Sequence, residues 1–311
     1  KKKLNESYKY QLELLFELSK KFGFQAIYIL LDKIDETEKT GNDQLASYKL
    51  IEPLIRDLDT HSLNGYAFKY FLWDKIYPFY LKGGRPDRIT QHNLLWSRNA
   101  LKAMLSKRLS VFSDGKVTTF SQLFTADLST DVDDIIITLS GYSPRNVIRL
   151  CDEIIAEQTL IDSNVSKLDK RTLDRASLKY SEKICKELYG EDALKDIKKI
   201  DQELFTIAYL ASNVYKTHNN SVRPKVASWE KKGFCHNVGN DKGGKSKKPT
   251  QVYFISDARA NRMINSKVPI EEWIKSNWMT CSHCDADVLL DISLAGDGYE
   301  IECWRCNRNL I

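Results

Sequence analysis

Residues 26–36 read Ala26-Ile27-Tyr28-Ile29-Leu30-Leu31-Asp32-Lys33-Ile34-Asp35-Glu36. The apolar run is closed by an aspartate and is far shorter than the ~18 residues a membrane span needs, so it reads as a buried strand. Before it, residues 6–21 read as an amphipathic helix, with Tyr8, Leu12, Leu15 and Leu18 near one face and Gly23 as a stop. After it, residues 42–58 look helical. Residues 65–73 then read as a second buried strand ending at Asp74. This alternation, up to about residue 90, predicts a parallel α/β sheet.

Further along, Pro78 and Gly83-Gly84 break the pattern. Residues 94–109, 131–139 and 144–157 are helical in pattern, and the stretch 91–160 is expected to form a helical lid. A polar segment, 162–170, reads as a linker. Helices are expected at 172–189 and 201–217, the latter on Leu204, Ile207, Ala208, Ala211 and Val214. A turn at 218–220 precedes a helix over 221–232. Strands at 234–238 and 251–255 flank a Gly/Lys-rich loop, 239–248.

With 42% hydrophobic and 29% charged residues, the 311-residue chain has the composition of a soluble globular protein. No apolar run reaches membrane length, so no membrane partner is expected. A net charge of +5 does not by itself imply nucleic acid, but lysines cluster between Lys225 and Lys248. Of seven cysteines, Cys151, Cys185 and Cys235 stand alone and four sit in two Cys-x-x-Cys pairs. That usage suggests a reducing, cytoplasmic setting rather than a disulfide framework. The start, Lys1-Lys-Lys-Leu, shows neither an initiator Met nor a signal peptide, which raises the expectation of a further upstream segment.

The two pairs form C-x2-C-x18-C-x2-C through Cys281, Cys284, Cys303 and Cys306. Each turn can aim two thiolates at one ion, and two turns complete a closed tetrahedral S4 site. A closed site is structural, so Zn2+ is expected to staple residues 270–311 rather than catalyse. Residues 288–292 and 299–303 alternate like two strands across an Ala-Gly-Asp-Gly turn at 295–298, the outline of a zinc ribbon.

Five apolar residues followed by an acid resemble the Walker B strand of AAA+ and STAND P-loop ATPases. The resemblance implies that Asp32 holds Mg2+ beside ATP. Lys33 stands where AAA+ proteins keep their catalytic glutamate, which leaves Asp35 or Glu36 to polarise water. Asp74 matches a sensor 1 position, and Arg85 and Arg88 fall where an arginine finger often sits, acting on a neighbouring subunit of an oligomer. Gly141-Tyr-Ser-Pro-Arg145 resembles the sensor 2 motif of Orc/Cdc6-like proteins, with Arg145 reaching the γ-phosphate. The resemblance covers residues 1–158.

No Gly-x-x-x-x-Gly-Lys-Ser/Thr occurs in the 31 residues before Asp32. Gly239-Asn-Asp-Lys-Gly-Gly244-Lys245-Ser246 fits that expression but precedes a strand rather than opening a helix, so it reads as a basic hairpin loop. Helix, turn, helix, strand, basic loop and strand over 171–265 resemble a winged helix. Ser221 is the expected N-cap and Val222, Val226 and Trp229 the core face. Arg223, Lys225, Lys231 and Lys232 are expected to face DNA, and Lys242, Lys245, Lys247 and Lys248 to meet phosphates from the wing.

The expected architecture is therefore a partial P-loop NTPase-like core (1–90), a helical lid (91–160), an α+β winged helix (171–265) and a small zinc ribbon (270–311). The resemblance implies an ATPase switch coupling nucleotide state to DNA or an effector protein, with bacterial anti-phage defence among its settings. The alternative is a non-enzymatic DNA-binding or adaptor protein on a degenerate NTPase scaffold.

Overall fold

A computed structural model describes residues 7–41, 43–241, 250–276, 278–284, 286–289, 303 and 306–310. The chain divides into two compact units, Lys1–Leu94 and Leu95–Ile311. Among the described residues no helix is long and apolar enough to cross a membrane.

In the first unit, α1 (Tyr8–Lys21) precedes β1 (Ile27–Leu31), α2 (Gln44–Arg56), a single turn α3 (Leu58–His61), β2 (Tyr66–Tyr70) and α4 (Tyr77–Gly83). The two strands pair in parallel, Ile27 opposite Tyr66 through Leu31 opposite Tyr70. Parallel strands need a crossover, and α2 with α3 supplies it. The core is Ile34, Tyr48, Ile51, Ile55, Ile76 and Tyr80. Asp43 caps α2 by accepting the Ala46 N–H at 2.7 Å.

Two expectations need correction here. β1 is not buried on both faces: Ile27, Ile29 and Leu31 are half-buried, whereas Tyr28 and Leu30 are 62% and 63% exposed. With one neighbouring strand, period 2 leaves one face of the pair in water. In α1 the inward residue is Phe16, while Tyr8, Leu15 and Leu18 are exposed. Phe16 lies against Tyr66 at 6.0 Å between ring centroids, and the Tyr66 hydroxyl donates to the Leu12 carbonyl at 2.6 Å. Gly65 admits this approach: at φ +81°, a Cβ there would sit 1.9 Å from the Phe16 ring.

The second unit runs α5 (Arg98–Phe112), α6 (Val132–Ser140), α7 (Pro144–Ile161), α8 (Lys170–Tyr189) and α9 (Glu191–Ile197). Then come β3 (Leu204–Thr206), α10 (Ile207–Tyr209) with a π turn (Leu210–Val214), and α11 (Asn219–Lys231). β4 (Cys235–Asp241), β5 (Thr250–Ile255), α12 (Ala258–Ile264), α13 (Ile270–Ser276), β6 (Trp278–Thr280) and β7 (Asp287–Leu289) complete it. The polar stretch 162–170 does not separate two cores. Leu168 is buried, its N–H donates to Leu123 and its carbonyl accepts from Thr125, and α7 and α8 on either side share one apolar cluster with α13.

The expected helix 201–217 is also corrected. Its first part is strand β3, and only a short helical stretch follows. β3 pairs antiparallel with β5, and β5 with β4, giving the order β3-β5-β4. Phe205 on β3 explains the difference: its ring stacks on Tyr253 of β5 at 5.8 Å and meets Trp229 of α11 edge-on at 6.3 Å. Cross-strand aromatic packing overrides the helical spacing of the flanking apolar residues.

Candidate functional site

The four-cysteine cluster is the best-defined site. The ligand atoms of Cys281, Cys284, Cys303 and Cys306 lie within 4.8 Å of one another. Cys281 Sγ is 3.7 Å from Cys306 Sγ, and Cys284 Sγ is 3.5 Å from Cys303 Sγ. Those separations exclude disulfides, which hold sulfurs about 2.05 Å apart. They fit a tetrahedron around an ion bound at ~2.3 Å, whose edges are ~3.8 Å long. The donor set therefore suits a metal ion such as zinc.

The two halves are built alike. Cys281 N–H donates to the Ala286 carbonyl and Cys303 N–H to the Arg308 carbonyl, each at 2.8 Å and each five residues on. Burial pushes the Cys281 thiol up, but the N–H groups of His283 and Cys284 outweigh it and hold it at about 7. Burial pushes Cys284 up to about 12 against the Ala286 N–H. β6 and β7 form an antiparallel pair, Trp278 opposite Leu289, flanking the first Cys pair. Of the expected partner strand 299–303, residues 299–302 lie outside the described residues. Cys151, Cys185 and Cys235 are buried elsewhere, with thiols pushed up by burial, Cys151 to about 12.

In the first unit, Asp32 follows β1 directly and Asp74 follows β2 by four residues, so parallel pairing brings both to the C-terminal edge of one strand pair. Both are exposed. Each carboxylate accepts the next residue's N–H, Asp32 from Lys33 at 2.8 Å and Asp74 from Lys75 at 2.9 Å. Lys33 adopts a left-handed φ of 56°. Its ammonium lies 3.4 Å from Glu36, which is thereby committed to an ion pair, while Asp35 is half-buried. Arg85 grips Asp87 with two bonds, 3.1 and 3.0 Å, and Arg88 lies 3.5 Å from the same carboxylate. Arg145 belongs to the second unit, exposed in the first turn of α7.

The α11 region departs from expectation in several places. The helix begins at Asn219 with His218 as N-cap, so Ser221 lies inside it and caps nothing. Val222, Val226 and Trp229 are buried, as their spacing implies. Lys225 does not face outward. Its ammonium binds Asp196 at 2.7 Å and lies 4.4 Å from the Tyr215 ring centroid. Asp196 is buried on α9 and Tyr215 follows the π turn, so Lys225 ties the helix to its own support. Lys232 donates to the Tyr189 carbonyl at 3.1 Å. Arg223 and Lys231 are exposed. Lys242, Lys245, Lys247 and Lys248 lie outside the described residues. The P-loop-like stretch begins inside β4, whose last residue, Asp241, lies opposite Thr250 of β5 in an antiparallel pair; residues 242–249 lie outside the described residues.

The sequence reading missed a set of buried ionic contacts. Asp257 caps α12, accepts from the Tyr189 hydroxyl at 2.7 Å and pairs with the Arg259 guanidinium, which packs against Gly141. Arg262, fully buried, donates to Asp174, Ser177 Oγ and the Asn265 and Val268 carbonyls. Glu271 accepts from the Ser129 and Thr130 N–H groups and lies 2.5 Å from the Lys170 ammonium. No family model matches this chain, and no curated protein matches it.

Proposed function

We propose that the second unit binds DNA through a winged helix, and that a zinc ion held by Cys281, Cys284, Cys303 and Cys306 staples the module behind it. The strand order β3-β5-β4 carries this reading. A winged helix places its first strand before the helix-turn-helix and pairs it with the last strand of the wing hairpin, and β3, α10 with its π turn, α11, β4 and β5 follow that plan. α11 is then the helix offered to the groove, and the 242–249 loop is the wing, rich in lysine. The test is a salt titration of the full chain on duplex DNA. Affinity should fall steeply with salt and drop further when Lys245, Lys247 and Lys248 become Ala. Unchanged affinity in that triple variant sinks the wing assignment.

A second reading, that this binding answers to a nucleotide, is favoured by the parallel pairing of β1 and β2. It sets Asp32, directly after β1, and Asp74, four residues after β2, beyond the same ends of two neighbouring strands, similar to the arrangement that holds magnesium and senses phosphate in P-loop ATPases. Arg85 and Arg88 from a neighbouring subunit would meet the phosphates. Glu36, bound to Lys33, is a weaker candidate base than Asp35. The P-loop would come from outside these 311 residues. Magnesium-dependent ATP binding by the complete protein, lost in Asp32→Ala, is the expected result; no such binding removes the ATPase reading and leaves the DNA-binding one.

A further inference from the structure

The outer face of α11 is chemically uncommitted. At 100° per residue, Asn220, Pro224, Ala227 and Lys231 run along the side opposite the buried Val222, Val226 and Trp229, with Arg223 beside them. All five are exposed. Among the described residues the side chains of Asn220, Arg223 and Lys231 have no hydrogen-bond or ion-pair partner. No acid lies on this ridge; Glu230, on its flank, accepts the Asn237 N–H at 3.3 Å. Ser221, Ala227 and Ser228 are short, so a surface can approach the helix closely. The helix is also held rigidly. Trp229 packs edge-on to Phe205 and Phe234, and Lys225 clasps Asp196.

A rigid ridge with free cations and no acid suits a polyanionic groove. Its free hydrogen-bonding groups are the kinds that read purines. A guanidinium donates twice to guanine O6 and N7, and a carboxamide pairs with adenine N6 and N7. Asn220 and Arg223 are three residues apart, hence neighbours on the helix surface. We propose that α11 reads sequence in the major groove of double-stranded DNA, with Asn220 taking an adenine and Arg223 a guanine at adjacent positions, while Lys231 holds backbone phosphate. This rests on the winged-helix reading above and adds base selectivity to it.

The test is selection of the full chain on random duplexes, followed by anisotropy titrations of the winner against a scrambled duplex. The expected winner contains neighbouring adenine and guanine. Asn220→Ala and Arg223→Ala should each cut its preference over the scramble by about five- to 150-fold. Arg223→Lys keeps the charge but loses the two-pronged geometry, so it should keep scrambled-duplex affinity and lose the guanine preference. Lys231→Ala should weaken every duplex alike and lower the salt slope by about 1. Binding without any enriched sequence overturns base reading and leaves DNA binding standing. Absence of binding to any duplex overturns both.

Discussion

Replacing Asp174 by Ala should be among the most damaging single changes in the second unit. Arg262 has no exposed side-chain surface, and among the described residues Asp174 is the one carboxylate paired with it, 2.9 Å away. Burial pulls the Arg262 pKa down and the Asp174 charge opposes that pull. Removing one partner of a buried pair costs about 3–5 kcal/mol, because the other charge stays buried without compensation. Asp174 keeps 27% of its side-chain surface, so water can partly replace it and the low end, about 3 kcal/mol, applies. Asp174 also accepts the Ile270 N–H at 2.8 Å, a bond lost with it. For a unit of this size 3 kcal/mol corresponds to a fall in Tm of about 6–12 °C. Urea unfolding followed by far-UV circular dichroism reads the change. Arg262→Met in the Asp174→Ala background should recover part of the loss, since it removes the stranded charge. A cost below about 1 kcal/mol for Asp174→Ala, or strict additivity in the double variant, would refute the account.

Cys303→Ala should abolish stoichiometric zinc uptake, read by atomic absorption, and a strong chelator should loosen 278–310 in hydrogen exchange while leaving β3, β4 and β5 protected. Gly141→Ala should cost about 1–2 kcal/mol: its φ is +61° and the new Cβ would lie 3.1 Å from the Arg259 guanidinium. Glu271→Gln should lower stability at pH 7 by about 1–3 kcal/mol in urea titrations. Burial pushes the Glu271 carboxyl up, but Lys170 and Ser129 outweigh it and hold it below its ordinary 4.5. That stabilisation is present above 4.5 and lost as pH falls through the folded value, so the variant should show a flatter acid limb below pH 4.5. An unchanged limb would exclude Glu271 from acid unfolding.

What the sequence made legible was local. Two Cys-x-x-Cys turns carry their metal geometry within a few residues, and the apolar runs at 27–31 and 66–70 announce strands directly. β3 was hidden because three residues are too few to show a period, and its reason for being a strand, the Phe205–Tyr253 stack, lies 48 residues away. Lys225 was misjudged for the same kind of reason: its acid, Asp196, is 29 positions back on another helix. The Arg262–Asp174 pair spans 88 positions and leaves no periodic trace. Charges settle by what the fold brings beside them, and single-sequence patterns see only neighbours on the same element.

The placement of the seven cysteines gives the protein an internal gauge. Cys151, Cys185 and Cys235 are sealed in apolar cores with thiols that burial keeps protonated, so a maleimide reaches them only when those cores open. Cys284 and Cys306 are half-buried, and an ion bound among the four sulfurs would screen them together with the buried Cys281 and Cys303. With zinc in that site, a mass increase of four adducts would report metal loss with the other cores intact, and seven would report global unfolding. Metal occupancy and fold integrity can be followed independently in one spectrum, without introducing a label.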